Sequence, residues 1–114
     1  MRWIIILTLV ALTLSGCSSA NSELVEDTKK VLEVINESME TGTYEETNYN
    51  RTSMYLEEWG DLEALPKVEQ EIVGTIMLLD NIAMQYPDEK DPKKRAQYRQ
   101  DFIEHKEKLL SLIK

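Results

Sequence analysis

Apolar positions in this chain form one continuous run, then a series of periodic stretches. The run is Trp3 to Leu14, about a dozen residues, where a bilayer span needs roughly 20. Beyond it, Leu24, Thr28, Val31 and Ile35 recur at spacings of four, three and four, joined by Val25, Leu32 and Met39. That spacing predicts an amphipathic helix from a Ser22 cap to about Thr41, stopped by Gly42. Tyr44, Asn48, Thr52, Tyr55, Trp59 and Leu62 share a second face, which predicts a helix over about Tyr44 to Trp59. Thr43 with Glu46 three residues later fits a capping box for it, and Gly60 reads as its end. Asn48 to Ser53 is a stretch of mediocre helix formers, where bending or fraying is expected.

Asp61 to Leu65 reads as a connector or a short helical turn, and Pro66 suits the first turn of a third helix. Val68, Ile72, Ile76, Leu79, Ala83 and Tyr86 line one face of that helix. Val73, Met77, Leu78, Ile82 and Met84 widen it, as expected of a segment at the centre of a bundle. Pro87 to Pro92 is an expected loop, with Asp91 capping a fourth helix and Pro92 at its first position. Ala96, Arg99, Phe102, Ile103, Leu109, Leu110 and Ile113 give that helix its expected inner side, with Lys106, Lys108 and Lys114 suited to its C-terminal end. Strand alternation is nowhere a competitor. The pattern predicts an all-α fold, a small up-down bundle of about four helices over residues 23–114.

Residues 1–17 carry a more specific signal. Arg2 precedes the apolar run, and Leu14-Ser15-Gly16-Cys17 follows it, small residues standing just before the chain's one cysteine. This resembles the signal peptide and lipobox of bacterial lipoproteins. The resemblance implies cleavage between Gly16 and Cys17, a thioether-linked diacylglycerol on Cys17, and N-acyl chains on the new amino group. It divides the chain into a signal peptide over 1–16, a lipidated cysteine and short tether over 17–22, and the helical domain. The chemistry asks for cysteine because a thiolate accepts the lipid. Two or three acyl chains, at about 0.8 kcal/mol per buried methylene, hold a protein on a membrane where one does not. The expected location is the outer face of the cell membrane, or the outer membrane in a two-membrane source.

Charge sharpens the picture of partners. The net charge is −8, and loss of Arg2 with the signal peptide would make it −9. Such a balance argues against nucleic acid, whose phosphates need clustered Lys and Arg. The balance is uneven: Glu23 to Glu71 holds 14 acidic residues against Lys29, Lys30, Arg51 and Lys67, whereas Asp88 to Lys114 holds 6 acidic and 8 basic. Either the last helix answers acidic neighbours across solvated faces, or an acidic face is offered to a basic partner. With one cysteine, no internal disulfide can form.

Catalytic chemistry has little to build on. His105 lies between Glu104 and Lys106, with no second histidine and no metal-ligand spacing, so neither a metal nor another cofactor is expected. Glu45 with Glu46, Glu57 with Glu58, and Glu69 with Glu71 resemble acid pairs only in number; on helices they read as solvated faces. Tyr, Trp and Arg are common anchors of binding surfaces, which singles out Tyr49 and Arg51 on the second helix as a partner surface. The sequence therefore predicts a non-catalytic, membrane-anchored module that binds or regulates another exported or membrane protein. The alternative is a small-ligand site between helices, lined by Met77, Met84 and the aromatics.

Overall fold

A computed structural model describes residues 20–114; the signal peptide, the Gly16–Cys17 cleavage site and lipidation at Cys17 lie outside the described residues. Four helices follow in order: α1 (Ser22–Thr41), α2 (Glu46–Trp59), α3 (Lys67–Gln85) and α4 (Pro92–Leu112). Short 3₁₀ turns, Leu62–Ala64 and Tyr86–Asp88, precede α3 and follow it. Among the described residues there is no strand, and no helix is long and apolar enough to cross a membrane. The fold is an all-α bundle.

Helix α3 is the centre, packing against both α1 and α4, while α2 lies mainly on α1. Ile72, Val73, Ile76 and Leu79 are fully buried there, meeting Leu24 and Ile35 of α1 and Leu109 of α4. Fully burying such a side chain is worth about 1.5–3 kcal/mol, so each member of this column stabilises the bundle substantially. The stripe expected for α1 is the one buried, with Thr28 inside it.

The caps sit slightly off their expected places. Asn21, not Ser22, caps α1: its Oδ1 accepts from the N–H groups of Glu23 (2.7 Å) and Leu24 (3.2 Å). For α2 the cap is Glu45, not Thr43, and its N–H donates to Asn48 Oδ1 at 2.6 Å. Thr43 is engaged elsewhere, its hydroxyl with Thr41 and its carbonyl oxygen with the Ser38 hydroxyl. The Asn48–Ser53 stretch is unbroken helix. Gly42, at φ 72°, closes α1 in the left-handed region that glycine enters without steric cost. Gly60 stands at the end of α2, its N–H donating to the Leu56 carbonyl oxygen at 2.8 Å, where a Cβ would run into that same oxygen. Pro66 stands one position before α3 as its cap residue, and Asp91 caps α4 as expected, accepting from Lys93 N–H at 3.1 Å.

The inner side of α4 is narrower than its sequence suggests. Phe102, Leu109 and Ile113 are buried, but Ala96, Arg99, Ile103 and Leu110 are exposed. On α3, Val68, Leu78 and Met84 are exposed as well. The reason on α4 is that it packs against α3 and makes little direct contact with α1, so one flank of its apolar side has no cover.

Candidate functional site

The α2 helix is short of aliphatic side chains, and polar tips hold it in place. Tyr55 is buried with its hydroxyl 2.8 Å from Thr28 Oγ1. Trp59 donates its indole N–H to Asp27 Oδ2 at 3.0 Å, and Asn48 donates to the Val34 carbonyl at 3.3 Å. From α3, Asp80 presents a carboxylate only 8% exposed, which accepts from Tyr44 (2.7 Å) and Thr52 (3.0 Å) through Oδ1. Burial pushes the Asp80 carboxyl above its usual range, and the two hydrogen bonds counter part of that rise. Burial together with the adjacent Asp80 raises Tyr44, and burial lifts Tyr55 to about 12. These groups join helices; Tyr55 and Asp27 also line one shallow cleft and Asn48 a second.

The structure separates Tyr49 from Arg51. Two positions apart on a helix point about 200° apart. Arg51 leans toward α1 and, with Met54 and Glu58, borders a cleft of about 180 Å³ that Asp27 and Lys30 complete. A second cleft of about 300 Å³, with Val34 and Glu37, lies on its other side. Tyr49, 58% exposed, lines neither, so these two residues do not form one surface.

The remaining sequence candidates are dispersed. His105 is half-buried on α4, and among the described residues no group of three or more His, Cys, Asp or Glu is placed to hold a metal ion. Of the acid pairs, Glu69 is half-buried and accepts the Asn21 N–H at 2.8 Å, which pins the start of α1 to α3; Glu45, Glu46, Glu57, Glu58 and Glu71 are exposed. Met77 is half-buried and Met84 exposed, so they do not enclose a space between helices.

Two further shallow depressions lie along the seam between α1 and α4. One part, of about 370 Å³, has Met39 and Asn36 on one wall and Phe102, Ile103 and Lys106 on the other, with Tyr86 and Arg99 at one end. The next, of about 630 Å³, continues past Asn36 and Lys106 to Leu32, Leu110 and Ile113. Ile103 is 51% exposed and Leu110 43%. Lys106 spans the seam to Asn36 Oδ1 at 3.0 Å, and Arg99 donates to the Tyr86 hydroxyl at 2.9 Å. That bond, with Arg95 stacked 4.2 Å from the centre of the Tyr86 ring, holds the phenol below its usual range against the effect of burial. The signal was present in the chain, since Ile103 and Leu110 stand seven apart with a lysine between. Periodicity marks an apolar side, but it cannot say whether a neighbour covers it. Compared with known proteins, the chain matches no family model, no curated protein and no solved structure.

Proposed function

We propose that this protein is a lipid-anchored extracytoplasmic binding module, held to the membrane by diacylglycerol on Cys17, whose partner is another exported or membrane protein. The role is non-catalytic. Leu14-Ser15-Gly16-Cys17 after a short apolar run supports the anchor. The observation that carries the binding reading is the uncovered α1–α4 seam, where Ile103 and Leu110 stay in solvent above a buried floor that includes Phe102 and Ile113. Exposed apolar side chains over a buried floor and flanked by polar groups support that reading.

Two measurements on the native-membrane protein test the two halves. Metabolic labelling with a clickable fatty acid is expected to mark the wild type and to vanish in Cys17→Ala; label persisting in the variant would overturn the anchor. Crosslinking followed by mass spectrometry is expected to recover one dominant envelope protein, lost when Cys17→Ala releases the domain. A blank from wild-type membranes would overturn the binding reading.

A further inference from the structure

Resting on that reading, we infer that the α1–α4 groove receives an acidic amphipathic helix of the partner protein. Three features of the groove select this occupant over others.

The first is shape. The two depressions meet at Asn36 and Lys106, whose hydrogen bond crosses the seam between them, and together they follow α1 and α4 from Met39 and Tyr86 to Ile113. Its exposed apolar contacts, Ile103 and Leu110, lie about two turns apart on one stripe of α4, a rise of roughly 10 Å. A docked helix carries apolar anchors at i, i+3 or i+4, and i+7, so two anchors seven apart can meet Ile103 and Leu110 on either side of the Lys106–Asn36 bridge.

The second is backbone satisfaction. Both walls are helices whose own N–H and C=O groups are paired internally. An extended segment would find no strand edge here to accept its backbone, whereas a helix brings its hydrogen bonds with it. Two helices with a shallow gap between them present the ridges and grooves into which a further helix packs.

The third is charge. The protein carries −8 overall, yet the groove is lined by Lys29, Arg99, Lys106 and Lys114 against Glu33 and Glu40. Arg99 and Lys106 give their hydrogen bonds to neutral oxygens, a phenol and an amide, so those bonds leave the cationic charge available. A helix whose apolar stripe is flanked by Asp and Glu is complementary to that lining, and one flanked by Lys and Arg is repelled by it.

The test is site-specific photocrosslinking of the full-length protein in its own membranes, with a photoreactive phenylalanine replacing Ile103, Leu110, Tyr49 or Met54 one at a time. These side chains are exposed, and retained helicity by circular dichroism confirms each variant. Positions 103 and 110 are expected to label one partner segment whose sequence is helical in period and acidic on its flanks. Charge reversal at the rim, Arg99→Glu with Lys106→Glu, is expected to lower the yield roughly tenfold, and added salt to lower it in the wild type. Labelling from 49 or 54 with none from 103 or 110 would overturn the groove assignment while leaving the tethered-binding reading intact. No protein label from any position would overturn both. Crosslinks from 103 and 110 to lipid alone, to a second copy of this chain, or to a basic segment would overturn the assigned occupant.

Discussion

Asp80 is the residue on which the α2–α3 junction turns. Its side chain is buried between Tyr44 and Thr52, and its carboxyl titrates above the usual range because desolvation outweighs the two hydrogen bonds it accepts. A carboxyl raised in the folded state keeps its proton there while the unfolded chain has already lost one. The stability it contributes is therefore full below the ordinary carboxylate range and declines as pH rises through the raised value. Asp80→Asn keeps an acceptor for Tyr44 and Thr52 without the charge. Its unfolding midpoint is expected to exceed the wild type's at pH 7, with the gain shrinking toward pH 4. Urea unfolding at both values measures this, and an equal difference at the two would contradict the titration.

The helices differ in what fixes them. On α1 and α3 the apolar period decides: the α1 stripe and Ile72, Ile76, Leu79 and Ala83 of α3 are buried as their spacing predicts, while Val68, Leu78 and Met84 are not. The α2 face was also legible, since Tyr44, Thr52, Tyr55 and Trp59 do turn inward. Its partners were not, because Asp27, Thr28 and Asp80 meet them only through the fold. The cap of α2 was misplaced because Thr41 and Ser38 occupy Thr43 first, a competition that local sequence does not reveal. Two glycines make a paired prediction at this scale. Gly74 lies within α3 with nothing within 4 Å of where a Cβ would stand, so Gly74→Ala is expected to stabilise by about 0.5–1 kcal/mol. Gly42 also has open space, but its φ of 72° penalises any Cβ, and Gly42→Ala is expected to destabilise by roughly 1–2 kcal/mol. Chemical denaturation of the two variants separates backbone conformation from packing, since neither adds a clash.

At the scale of the molecule, the groove and the proposed anchor are related through Ala20 and Asn21. Ala20, three residues after Cys17, packs against the core, and the Asn21 N–H is held by Glu69 of α3. Three residues of backbone span at most about 10 Å. On the proposed lipidation, that bounds the distance between Cys17 and the bundle. A domain on so short a leash cannot search the depth of an envelope. It diffuses in two dimensions, meets proteins that share its leaflet or stand beside it, and presents its groove at nearly constant height. Inserting a flexible segment of about 20 Gly and Ser residues between Ser19 and Ala20 would let the bundle wander tens of ångströms. The local concentration it offers a neighbour would fall accordingly, even with every groove contact intact. Crosslinking yield from position 103 in such a protein is expected to drop while its helicity and its unfolding midpoint stay unchanged. On these proposals the partner would be selected twice, once by the chemistry of the groove and once by its address in the plane of the membrane.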